Sequence, residues 1–150
     1  MKSMLALPLV ALFAIEASSL ASGSERYGEQ KVAYHINFDG EEGDREYLRA
    51  LGNVRNHIAA VGSGGIEVKV VLHGDGLNLL KNANSNQQLQ SLVLDLRTNN
   101  LAFLICNFTL EGRDIDYQAD LFEVFKEDIV PSGVAELSHL QAQGYTYIRP

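Results

Sequence analysis

Residues 45–72 read REYLRALGNVRNHIAAVGSGGIEVKVVL. Leu48, Leu51, Val54, Ile58 and Val61 recur at spacings of three and four, the pattern of a helix with one apolar face. Gly62-Ser63-Gly64-Gly65 then breaks that period, as glycine does at helix ends. The β-branched run 66–72 that follows is a strand. Upstream, residues 31–38 alternate, with Val32, Tyr34, Ile36 and Phe38 on one side and Ala33, His35 and Asn37 on the other, which is a second strand. Strand, helix, strand in that order implies a right-handed parallel unit.

The same alternation continues downstream. His73-Gly74-Asp75-Gly76 leaves the second strand, and residues 77–80 begin a helical segment interrupted by the polar run 82–86. Residues 87–97 resume helical periodicity through Leu89, Leu92, Val93 and Leu96. Residues 101–106, LAFLIC, are apolar without a break, which predicts a strand buried on both faces at the sheet centre. Residues 111–120 read as a short helix or loop and residues 121–130 as a strand. Pro131-Ser132-Gly133 opens a last helix with Ser132 as N-cap and Val134, Leu137 and Leu140 on its inner face. Gly144 closes it, and a short strand follows at 145–148. The expected fold is α/β: a three-layer α/β/α sandwich with a mostly parallel sheet of about five strands.

Composition narrows the function classes. The chain has 150 residues, an apolar fraction of 46% and a charged fraction of 21%, the profile of one globular domain. Asp and Glu outnumber Lys and Arg by 19 to 12, a formal charge of −7, and no basic block offers a face for phosphates, so nucleic acid is not an expected partner. Lys2, the apolar stretch 4–15 and Ser19-Leu20-Ala21 have the layout of a secretory signal cleaved after Ala21. The expected organisation is a signal peptide at 1–21, a flexible lead-in at 22–30 and one domain at 31–150. The expected location is periplasmic or secreted, with no membrane attachment once the signal is removed.

Ligands of open parallel sheets sit beyond the carboxyl ends of the strands. That edge collects Asn37 to Gly40, His73 to Gly76, Cys106 to Thr109 and Pro131 to Gly133, with His35 near the end of the first strand. Cys106 is the one cysteine, so no disulfide within the chain is available. It is the candidate catalytic residue. His35, Asn37, His73, Gly74, Asp75, Gly76, Asn107, Ser132 and Gly133 are the candidate binding residues around it. A reactive thiol needs its pKa lowered by a helix N-terminus or a cation, and Arg113 is placed to supply the charge if its loop folds back. The competing reading is a small buried hydrophobe with no chemistry. His-Gly-Asp-Gly could offer N–H groups to an anion or be a plain tight turn. No nucleophile elbow, Walker loop or dinucleotide fingerprint occurs. The four histidines lack metal-ligand spacing, so neither a metal nor another cofactor is expected; a metal site assembled in three dimensions around His35 and His73, each near a strand end, is the weaker third reading.

Several segments together carry a family resemblance: Val-Ala-Tyr-His-Ile-Asn at 32–37, Val-Val-Leu-His-Gly-Asp-Gly-Leu-Asn-Leu-Leu at 70–80, Leu-Ile-Cys-Asn-Phe-Thr-Leu at 104–110, and the closing block 130–150. From about residue 31 to residue 150 the chain resembles the DsrE/DsrF-like sulfur-relay family. The resemblance implies a three-layer sandwich that assembles into oligomers. It also implies a strand-end cysteine, here Cys106, that carries sulfur as a persulfide. The expected partners are a sulfur donor or acceptor protein, or a small sulfur compound, and a second copy of the chain. The expected activity is sulfurtransferase-like. The rival expectation is a non-catalytic oligomeric binding or scaffold module with an inert cysteine.

Overall fold

The computed structural model describes residues 23–150; the proposed signal at 1–21 lies outside them. Five strands, β1 (Gln30–Ile36), β2 (Ile66–Leu72), β3 (Leu101–Cys106), β4 (Ile129–Val130) and β5 (Thr146–Ile148), form one sheet in the order β4-β3-β2-β1-β5. Every pairing is parallel. The α/β sandwich expected from the alternating pattern is the fold observed.

The handedness rule explains how the helices are distributed. From β1 to β4 the chain steps steadily across the sheet, so right-handed crossovers place α2 (Arg45–Val61), α3 (Asn78–Asn82) and α4 (Gln87–Thr98) on one face. The return from β4 at one edge to β5 at the other runs the opposite way, which puts α7 (Gly133–Ala142) on the other face. Burial follows this division. Val32, Tyr34, Ile36, Val68, Val70, Leu72, Phe103 and Ile105 join Leu51, Val54, Leu89 and Leu96 in the large core. The second face holds a small cluster of Ala33, Val71, Leu137, Leu140 and Tyr145, with Leu104 packed against it.

Several elements differ from expectation. The sheet centre is β2, not β3: β4 pairs with Ile105 and Cys106 alone, and Ala102 and Leu104 stay partly exposed. Glu67 and Lys69 did not betray the central strand because they point to the thinly covered face. There Glu67 accepts a hydrogen bond from the Tyr145 hydroxyl and sits 3.3 Å from Lys69. The strand expected over 121–130 shrinks to its last two residues. Before it the chain forms α5 (Asn107–Gly112), α6 (Tyr117–Asp120) and a single turn at Lys126–Asp128. Leu121 and Val124 are spent on the large core, so their apolar character reports packing, not strand. Val134 lies outward, 65% exposed, while Leu137 and Leu140 face the sheet as expected. The lead-in expected at 22–30 contains the short helix α1 (Gly23–Tyr27), which packs on α2. Among the described residues no helix is long and apolar enough to cross a membrane.

Two contacts lock the carboxyl edge. Arg97 of α4 donates to Asp128 at 2.8 Å and to the Glu123 carbonyl at 2.6 Å, pinning the segment that leads to β4. Gly76 lies against the end of β1, where an added Cβ would stand 2.0 Å from the Ile36 carbonyl oxygen, so only glycine allows the loop to seat.

Candidate functional site

Strand alternation sends Ala33 and His35, Val71 and His73, and Leu104 and Cys106 to the face covered by α7. Each chain then ends at the carboxyl edge, which brings His35, His73 and Cys106 into a row across β1, β2 and β3. Tyr147 of β5 extends the row: its hydroxyl lies 2.8 Å from His35 Nδ1.

Cys106 closes β3 and is the N-cap residue of α5, with its backbone still extended at φ −68° and ψ 115°. The first N–H groups of α5 lack intrahelical partners: that of Phe108 donates to the Pro131 carbonyl at 3.3 Å, and those of Phe108 and Thr109 lie near the sulfur. Gly133, the first residue of α7, brings another N–H from the opposite side. Burial by itself raises the thiol's pKa. The Thr109 hydroxyl and the N–H groups of Gly133, Thr109 and Phe108 outweigh it, and the pKa falls below the ordinary thiol value. Hydrogen bonds to the charged form favour that form, and two converging helix N-termini add positive potential.

The site is tightly built. Ser132 caps α7 by accepting from the Ala135 N–H at 3.3 Å, which fixes where Gly133 begins the helix. A Cβ on Gly133 would stand 3.0 Å from His73 Cβ and 3.3 Å from Cys106 Cβ, so a side chain there would part the histidine from the thiol. Thr109 Oγ1 also accepts from the Gly74 N–H at 3.0 Å, joining the β2 loop to α5. Arg113 does fold back, yet its guanidinium serves the loop: it donates to the Gly74 carbonyl at 2.8 Å and to Asn78 Oδ1 at 2.9 Å. The thiol is therefore acidified by dipoles and hydrogen bonds, and the cation considered from the sequence holds the β2 loop in place.

The other candidate residues divide into two groups. His73 and Gly133 touch the thiol's surroundings. Gly76 seats the loop, and Asp75 is exposed, with its carbonyl accepting from the Tyr47 hydroxyl at 2.7 Å. Asn107 donates to Glu111 at 2.9 Å on the outer side of α5. His35 and His73 approach Nε2 to Nε2 at 2.7 Å with rings 4.8 Å apart. Burial first, then His73 and Arg149, push His35 down to about 4. Burial lowers His73 as well. Asn37 Oδ1 is buried and has no hydrogen-bond partner.

Thr109 falls at the expected edge but outside the candidate set, and Tyr147 lies outside both, though each left a signal. A hydroxyl three residues after a strand-ending cysteine sits where a helix beginning at Asn107 turns it back, and Tyr147 shares the alternation of the last strand. Cys106 keeps only 5% of its surface accessible, and the residues beside it at the two helix starts, Phe108 and Val134, are 67% and 65% exposed. The thiol itself is buried.

Comparison with known proteins agrees with this architecture. The sequence profile described as the DsrE/DsrF-like family matches residues 31–150. The chain belongs to the DsrE/DsrF-like family. Membership points to a sulfur-relay-like role in general terms. A solved structure with a similar fold is that of a protein of unknown function from Methanobacterium thermoautotrophicum. It is 29% identical, with a TM-score of 0.65, and the match covers 81% of this chain and all of that one. No curated protein matches.

Proposed function

We propose that this DsrE/DsrF-like protein carries sulfane sulfur as a persulfide on Cys106 and passes it to a partner thiol. The observation that carries the reading is the thiol's place at the end of β3 between the starts of α5 and α7, 3.3 Å from where a Gly133 Cβ would stand, with its pKa lowered by the Thr109 hydroxyl and neighbouring N–H groups. The Cys106 thiolate attacks the outer sulfur of thiosulfate, an S–S bond forms, and the bond to the sulfonate sulfur breaks with release of sulfite. Polysulfide donates in the same way and leaves one sulfur shorter. Neither step needs an external oxidant. An acceptor thiolate then takes the terminal sulfur and returns Cys106 as thiolate.

The His73–Gly76 and 131–133 loops border the thiol and select what reaches it. The signal-like layout of residues 1–21 supports export to the periplasm or beyond, and amino-terminal sequencing of the protein isolated from its host tests the cleavage. Assembly with a second copy is supported by the second face, which among the described residues α7 alone covers. Light scattering of the purified chain tests it.

The central test is intact mass after incubation with thiosulfate or polysulfide. The wild type is expected to gain one reductant-labile sulfur and Cys106→Ser none; no gain in the wild type refutes the carrier role. The 5% exposure of Cys106 favours one other reading, a scaffold module with an inert thiol. That reading requires native protein to resist alkylation until it is denatured.

A further inference from the structure

A line of hydrogen-bonding groups crosses the carboxyl edge toward the thiol. The register of β2 and β3 pairs Leu72 with Ile105, so His73 and Cys106 come next, side by side on the face that α7 covers. Both lie against one point at the start of α7: a Cβ on Gly133 would stand 3.0 Å from His73 Cβ, 3.2 Å from His73 Cδ2 and 3.3 Å from Cys106 Cβ. From His73 Nε2 the line passes to His35 Nε2 at 2.7 Å, and from His35 Nδ1 to the Tyr147 hydroxyl at 2.8 Å. Tyr147 is 41% exposed, so the far end is open to water. Either tautomer satisfies the contact between the rings. With the shared proton on His35 Nε2, the tyrosine hydroxyl donates to His35 Nδ1 and His73 carries its own proton on Nδ1. With it on His73 Nε2, those roles reverse. Passage of the proton thus turns His73 Nδ1 from donor to acceptor. His57 has no such freedom, because Gln30 Oε1 at 2.8 Å only accepts and Nε2 must hold the proton.

We propose that His73 is the acid and base of the sulfur hand-over at Cys106, with His35 and Tyr147 carrying its proton to and from water. This role rests on the persulfide reading above and adds to it the residue that discharges the carrier. A persulfide anion holds its charge on the terminal sulfur, the atom an acceptor thiolate must attack, and like charges repel. That sulfur has to be protonated first. It sits about 2.0 Å beyond the thiol sulfur, so the acid serves the added atom and not the buried thiol. The thiol's own neighbours, the Thr109 hydroxyl and the N–H groups of Gly133, Thr109 and Phe108, stabilise negative charge but hold their protons at neutral pH. An imidazole gives and takes one there. Burial keeps both rings below the ordinary histidine value, so near neutrality each has one nitrogen protonated and one free. In the hand-over His73 Nδ1 gives its proton to the terminal sulfur of Cys106–S–S−. His35 refills His73 Nε2, the Tyr147 hydroxyl refills His35 Nδ1, and water refills the tyrosine. The acceptor thiol then loses its proton to His73 Nδ1, which returns the line to its first state. Its thiolate attacks the terminal sulfur of Cys106–S–SH, one S–S bond breaks as the other forms, and Cys106 leaves as thiolate. Acceptor and persulfide hold one proton between them before the step and one after it.

The test separates the two half-reactions in single turnovers of the full protein, each read by intact mass. Charging with thiosulfate is attack by a ready thiolate and needs no proton. Discharge to glutathione, after the thiosulfate is removed, needs the line. His73→Gln should slow discharge roughly a hundredfold, and at least about tenfold more than it slows charging. His35→Gln and Tyr147→Phe should show the same inequality with smaller losses. Wild-type discharge should slow in D2O more than charging does, and His73→Gln should lose that difference, which a merely structural histidine would leave in place. A His73→Gln protein that discharges like the wild type, or that slows both steps equally, overturns the proposal and leaves the carrier standing. If His73→Gln does not fold, equal slowing of the two steps in His35→Gln and Tyr147→Phe does the same. A wild type that takes up no sulfur overturns the carrier reading and this role together.

Discussion

Replacing Thr109 with valine keeps the shape of the side chain and removes one hydroxyl, which tests what acidifies Cys106. That hydroxyl stabilises the thiolate and accepts from the Gly74 N–H at 3.0 Å. A hydrogen bond to a charged group contributes about 1.5–3 kcal/mol, and one pKa unit corresponds to about 1.36 kcal/mol. The thiol pKa of Thr109→Val should therefore rise by about 1–2 units. Alkylation by iodoacetamide, followed across pH by intact mass, reads this directly. Nucleophilicity increases with pKa with a slope of about 0.4–0.5, so the rate below the midpoint should fall only about 3–10-fold while the plateau at high pH climbs. The two profiles should cross. A variant that merely opened the site would react faster at every pH, and Thr109→Ser, which retains the hydroxyl, should follow the wild type. An unmoved midpoint in Thr109→Val refutes the account. The same linkage appears in stability. The folded thiol has the lower pKa, so its contribution is full above the unfolded value and is lost as pH falls through the folded one. Valine should flatten that rise.

Other perturbations probe the frame. Arg97→Met leaves Asp128 buried without its cation and should cost roughly 3–5 kcal/mol in urea denaturation; the double variant Arg97→Met/Asp128→Leu should recover a large part. Gly76→Ala forces a Cβ to 2.0 Å from the Ile36 carbonyl oxygen, so its loss should reach the exceptional range above about 4 kcal/mol or abolish soluble expression. His35, held near 4 in the fold, binds its proton more readily in the unfolded chain. Stability should therefore fall as pH drops from the ordinary histidine value toward 4, and His35→Gln should flatten that fall in thermal melts across pH.

Much of this architecture is legible from periodicity. The helix Arg45–Val61, the strand Ile66–Leu72 and the strand Leu101–Cys106 have the expected limits because each is a long apolar pattern bounded by glycine or a polar turn. What periodicity does not carry is which strands are neighbours. The unbroken apolar run of β3 suggested the centre, but Glu67 and Lys69 can sit on the central strand when one face has a single helix above it. In the same way Phe122 and Val124 look like strand residues, although their backbone turns to deliver them to the core from outside the sheet. At the site, the position of Cys106 could be read from the end of an apolar run. Its acidification could be read only in part: the Thr109 hydroxyl is a side chain the sequence displays, but the other responsible groups are backbone N–H groups, which every residue but proline carries and which become special only when a helix starts at that point.

The placement of α7 divides the thiol's surroundings by distance along the chain. The Thr109 hydroxyl and the Thr109 and Phe108 N–H groups come from the helix that directly follows Cys106, whereas the Gly133 N–H arrives from an element more than twenty residues further on. A chain cut before residue 133 therefore keeps the local acidifying groups and loses the distant one.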